Sequence, residues 1–100
     1  MYGLIGSFKA TPGRRDALLA ILLENVGTMP GCLGYVVAED PKDPDGIWIS
    51  EVWDSAESHK ASLAIPAVKD AIARAMPLIA DFGLHVETRP VGGIGLQAGA

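Results

Sequence analysis

A chain of 100 residues with 49% apolar and 20% charged side chains is long enough for one domain, and apolar enough to suggest a second hydrophobic surface and hence an oligomer. Its formal charge of −4, from 8 basic and 12 acidic residues, offers no cationic stripe for phosphate backbones and argues against nucleic acid as a partner. The single cysteine, Cys32, excludes an internal disulfide and the cysteine-rich metal patterns.

The longest apolar run, residues 17–23, is far short of the roughly 20 residues of a membrane span. The N-terminus lacks the basic flank of a signal peptide. A cytoplasmic protein with no membrane partner is the expectation.

Taken in order, residues 2–10 alternate Tyr2, Leu4 and Phe8 on one face with Ile5 and Ser7 on the other, which predicts a first strand. Thr11 before Pro12 reads as an N-cap and first helical position, so a helix is predicted from about 12 to 27, with Leu18, Leu19, Ile21, Leu22, Leu23 and Val26 as its apolar stripe. Gly27 and Pro30-Gly31 end it. Residues 32–39 are apolar on both faces and predict a second strand, covered on both sides. The turn residues of 40–46 predict a hairpin to a third strand.

The stretch 47–63, Ile-Trp-Ile-Ser-Glu-Val-Trp-Asp-Ser-Ala-Glu-Ser-His-Lys-Ala-Ser-Leu, begins as that strand and ends as a helix. Asp54, with Glu57 three residues on, predicts the helix start. Ile65-Pro66 interrupts this helix, a further segment covers 67–76, and Pro77 kinks or closes it. Residues 83–89 alternate again, with Leu84, Val86 and Thr88 opposite His85, Glu87 and Arg89, and predict a fourth strand. The glycines of the tail are not followed by a helix, so they do not make a phosphate loop; residues 90–100 are expected to form a short extra strand or an arm on a partner.

The predicted order, β-α-β-β-α-β, is the split βαβ or ferredoxin-like α+β arrangement, a single domain with helices on one face of a four-stranded antiparallel sheet. Its bare face is expected to be buried against a second copy, giving a homodimer.

On the residues Pro12-Gly13-Arg14-Arg15, Pro30-Gly31-Cys32, Glu51-Val52-Trp53, Ser55-Ala56-Glu57-Ser58-His59 and Ser62-Leu63, the chain resembles the antibiotic biosynthesis monooxygenase family of dimeric α+β barrel proteins, which includes small quinol monooxygenases. The resemblance implies a homodimer with a pocket between sheet and helices in each subunit. It further implies oxidation of a small phenolic, quinol or polyketide-like aromatic substrate by molecular oxygen, with no flavin, metal or haem cofactor. A deprotonated phenol can itself pass an electron to oxygen, so the protein needs an apolar slot, a proton acceptor and donors for oxyanion charge.

The candidate catalytic residues are Trp53 and His59. Trp53 shares a face with Glu51 and Ile49 by strand alternation and is either a core aromatic or a pocket wall whose indole N–H is a donor. His59, one turn before Leu63, is either a surface residue or the acceptor of a phenolic proton. Tyr35, Ser50, Glu51, Leu63 and His85 are candidate substrate-binding residues. Glu51 could equally form a structural bridge to Arg89 or to a partner chain, Tyr35 and Ser50 could be ordinary sheet packing, and His85 points to the pocket or to the dimer face. Ile49 stands where some family members carry an Asn; the chain's only Asn, Asn25, is assigned to the first helix. That difference favours a competing reading, a non-catalytic apolar-ligand-binding or stress-response module on the same scaffold. A third reading is an isomerase or decarboxylase that leaves oxygen unused.

Overall fold

The structure, a computed structural model, describes residues 1–96. Strands β1 (Tyr2–Ala10), β2 (Cys32–Glu39), β3 (Gly46–Trp53) and β4 (Ile79–Thr88) alternate with helices α1 (Arg15–Leu22), α2 (Ala56–Ser62) and α3 (Pro66–Ala75) in the order β1-α1-β2-β3-α2-α3-β4, with a 3₁₀ turn at Met76–Leu78. The strands form one antiparallel sheet ordered β2-β3-β1-β4. Each helical connection therefore crosses over one intervening strand, and the fold is the ferredoxin-like α+β arrangement that the sequence predicts.

Directly opposed residues of paired strands share a face. Tyr2, Leu4, Gly6 and Phe8 oppose Trp53, Glu51, Ile49 and Ile47, and this row points toward the helices. Leu18 of α1 is fully buried where Ile47, Ala10 and Ala75 meet, and Phe8, Val37, Ile49 and Ile79 pack around them. The other face carries Ile5, Val36, Trp48 and Val86, all exposed, with no helix over them. No helix among the described residues is long and apolar enough to cross a membrane.

Helix α1 is shorter at both ends than the sequence predicts. Thr11-Pro12-Gly13-Arg14 is a tight turn, closed by the Arg14 N–H donating to the Thr11 carbonyl at 2.9 Å. Gly13 holds φ +76, so Pro12 and Gly13 fill the middle of a turn with a left-handed third residue rather than the first helical turn. At the other end, residues 23–27 relax into successive turns that finish at Gly27, whose φ is +86.

Strand β4 begins four residues earlier than residue 83. Its register against β1 shifts twice, between Gly6 and Phe8 and between Lys9 and Ala10, which breaks the alternation that would have marked 79–82 as strand. At the first shift the Ser7 hydroxyl accepts the Leu84 N–H at 2.9 Å.

Arg15 fixes the hairpin loop. Its Nη1 donates to the Asp43 carbonyl at 2.8 Å and its Nη2 pairs with Glu39 at 3.1 Å, so α1 holds both ends of the 40–45 segment. Beyond β4 the chain turns onto the bare face. Pro90 lies over Gly3, and Leu96 lies over Gly34, where a methyl group would sit 3.6 Å from the leucine Cδ2. Residues 91–96 form no strand, and the remainder of the predicted arm lies outside the described residues.

Candidate functional site

The strand-to-helix corner is held by two hydrogen bonds and a close approach at Gly31. Ser55 caps α2, its hydroxyl accepting the Ser58 N–H at 3.1 Å; the cap is thus Ser55 and not Asp54, because Ser55 is the extended residue immediately before the helix. The Asp54 N–H donates to the Gly31 carbonyl at 2.9 Å. Gly31 has φ +84, and a Cβ there would lie 2.6 Å from the Ser58 hydroxyl, so the loop into β2 can approach the helix start only through glycine.

Behind this corner lies a cavity of about 150 Å³ between the sheet and the helices. The sheet contributes Tyr35, Glu51 and Trp53; α2 and the residue after it contribute His59, Ser62 and Leu63. Val68, Ala71, Ile72 and Ala75 of α3 form the wall opposite, and Ile21, Leu22, Asn25 and Met29 close the side. Two alanines on α3 keep that helix close while leaving room for a ligand.

Trp53 is 1% exposed, and its indole N–H donates to Glu51 Oε1 at 2.9 Å. The donor that the sequence offered to a substrate is therefore already used by the residue two positions back on the same face. Glu51 is bonded to Trp53 rather than to Arg89, which removes the expected intrachain bridge. In register, Glu51 stands between Tyr35 and Leu4. Burial, and then the negative charge of Glu51, push the Tyr35 phenol up to about 12. Tyr35 thus keeps its proton and can act in the cavity only as a hydroxyl donor or acceptor.

Stability should follow that shift. The unfolded phenol ionises near 10, so the unfolded chain sheds this proton first. The stabilisation is intact below pH 10 and is lost as pH rises to 12, by up to roughly 2–3 kcal/mol. Tyr35→Phe should lack this component. Urea midpoints at pH 9 and pH 11.5 for both proteins check it, and equal losses in the two would contradict it.

His59 sits between two aromatic rings. Its centroid is 5.3 Å from that of Trp53 in an edge-to-face arrangement and 5.6 Å from that of Tyr2. The Tyr2 hydroxyl is anchored in turn by donation to Glu87 Oε2 at 2.8 Å, and that bond raises its phenol above the ordinary value. The Ser62 hydroxyl donates to the His59 carbonyl at 2.6 Å. No side-chain hydrogen bond of the imidazole is found among the described residues.

Of the sequence-derived candidates, Trp53, His59, Tyr35, Glu51 and Leu63 are brought to one cavity. Ser50 and His85 are not. Ser50 opposes Ile5 and Val36 on the bare face of the sheet. His85 opposes Gly6 on the helix side of β4 but lies outside the cavity lining. Ile49 is partly buried against the apolar core and is not among the residues that line the cavity.

The residue not anticipated in this role is Asn25, which contributes a carboxamide from the helix side and donates to the Ala67 carbonyl at 3.4 Å. The signal was present: Ile21, Asn25 and Met29 continue the helical spacing of four past the end of α1. Among the described residues no three His, Cys, Asp or Glu side chains converge as metal ligands would.

A ferredoxin-like sheet with a helix-covered aromatic cavity defines the class, and comparison defines the family. The model of the antibiotic biosynthesis monooxygenase family matches residues 1–74, and the chain belongs to that family. A protein of Chloroflexus aurantiacus J-10-fl assigned as an antibiotic biosynthesis monooxygenase is 68% identical, with 95% of this chain and 97% of that one covered and a TM-score of 0.92. One from Deinococcus radiodurans with the same assignment is 25% identical over 98% of this chain and all of that one, at a TM-score of 0.77. A protein of Mycobacterium tuberculosis, 20% identical over 93% of this chain and 97% of its own, has the same fold at a TM-score of 0.76. No curated protein matched the chain.

Proposed function

We propose that the protein is a cofactor-independent monooxygenase that oxidises a small phenol or quinol with molecular oxygen. The observation that supports it most is a single apolar, aromatic-walled cavity into which a histidine, a protonated tyrosine and a carboxylate all face. A quinol can supply every electron that oxygen needs: one oxygen atom enters the ring, the product is a hydroxyquinone, and the other oxygen leaves as water. The protein's part is then positional and electrostatic. His59 accepts the phenolic proton, so that the electron-rich phenolate reacts with oxygen. Tyr35 donates toward the oxyanion that develops, and the apolar walls exclude water.

Oxygen uptake with a panel of hydroquinones, run against anaerobic controls and a heat-denatured sample, tests this reading. Protein-dependent uptake is expected. Its absence, together with a ligand retained through purification, would favour the apolar-ligand module instead; the commitment of the Trp53 N–H to Glu51 is the observation on that side.

A second copy is proposed to cover the bare sheet face. That face carries Ile5, Val36, Trp48 and Val86, all exposed, an apolar row that a self-complementary interface would bury. Sedimentation equilibrium at micromolar concentration should return a dimer mass, and a monomer would remove this step.

A further inference from the structure

The cavity contains one carboxylate, and its one basic side chain is the His59 imidazole. Glu51 is its acidic residue, and no Lys or Arg lines it among the described residues. The cations that do find partners find them elsewhere: Lys9 on Asp43, Arg15 on Glu39, and Arg74 on Glu24 and Asp70. Only one Glu51 oxygen is engaged, by the Trp53 indole. The second has no side-chain partner among the described residues.

An anionic group on a ligand ring would lie beside the like charge of Glu51 with no Lys or Arg in the lining to offset it, which is unfavourable. A hydroxyl avoids that cost, since it can donate to the free Glu51 oxygen. It can also accept from Tyr35, whose proton is retained to about 12. The cavity's volume is about 150 Å³, and a dry cavity on the order of 150 Å³ is known to hold one benzene-sized ring. A fused three-ring skeleton would leave most of itself outside, past Leu63 and Ile72, which line the cavity and are exposed.

We infer that the cavity selects a single uncharged hydroxyarene ring, of the phenol, catechol or hydroquinone class, and that Glu51 is the residue that turns away ring carboxylates. The inference rests on the proposed function for the choice of site and narrows the substrate class there; it does not depend on oxygen being consumed.

The test is equilibrium binding without oxygen. The intact protein is titrated by calorimetry at pH 8 with hydroquinone and catechol, and in parallel with 4-hydroxybenzoate and gentisate. The uncharged rings should bind at least about tenfold more tightly than the carboxylates. Glu51→Gln should shrink that ratio by strengthening carboxylate binding. Carboxylates that bind the wild type as well as the uncharged rings, or no uncharged ring binding at millimolar concentration, would overturn the inference whether or not the variant folds. A folded variant with an unchanged ratio would overturn the role of Glu51. Selective binding without oxygen uptake in the aerobic assay would sink the monooxygenase reading and leave this one standing; uptake that prefers ring carboxylates would do the reverse.

Discussion

His59→Gln is expected to lower quinol-dependent oxygen uptake by about 10²–10⁴-fold near neutral pH, the usual worth of a positioned general base. Glutamine keeps a polar, comparably long side chain on α2 but cannot accept a proton at this pH. The loss should fall on kcat more than on KM, because the imidazole is one wall among many for binding, whereas the proposed mechanism gives it alone the phenolic proton. Steady-state oxygen-electrode kinetics of the two proteins at one pH check this. A variant within about threefold of wild type would remove His59 as the base and leave Glu51 as the remaining acceptor in the cavity.

Trp53→Ala should be the most destabilising change at the site, by about 3–5 kcal/mol. The side chain is almost wholly buried, forms a cavity wall, touches the His59 ring and supplies the hydrogen bond to Glu51. Against a total of about 5–15 kcal/mol for a domain, that loss is a large share. Trp53→Phe separates two contributions, since it keeps most of the aromatic volume and deletes the N–H. It should cost about 1–3 kcal/mol, because it leaves a covered carboxylate oxygen without its donor. Chemical denaturation of the three proteins gives the comparison. Equal stability of Trp53→Phe and wild type would show that the Glu51 contact contributes little.

Much of the architecture was legible because its signals are local. Strands β1, β2 and β3 show in runs of β-branched and aromatic residues, and Pro66 marks the break between α2 and α3. The start of β4 was hidden because two register shifts scramble the period of two on which a strand reading depends. Pro12-Gly13 misled because proline followed by glycine fits a tight turn as well as a helix entry, and only the backbone angle at Gly13 distinguishes them.

The site was half legible. Strand parity places Glu51 and Trp53 together, and the same parity puts Ser50 on the opposite face. The bond between the indole and Glu51 was not legible, since parity gives shared faces and not rotamers. Asn25 was obscured by the end of α1: the helical spacing continued for a turn after the regular hydrogen bonding had ceased. His85 could not be assigned from its own strand alone, because the answer depends on how far the helices extend over the sheet's rim.

The paired register shifts between β1 and β4 bear on how this chain can aggregate. β4 is a rim strand, and a rim with an even row of free amides and carbonyls is a template for a neighbour's strand. Two irregularities within ten residues interrupt that row and twist it, so no long, flat stretch is offered for ladder growth. Edge-to-edge polymerisation along β4 is thus disfavoured by the backbone itself, alongside the charges of Asp81 and Glu87 on the same strand.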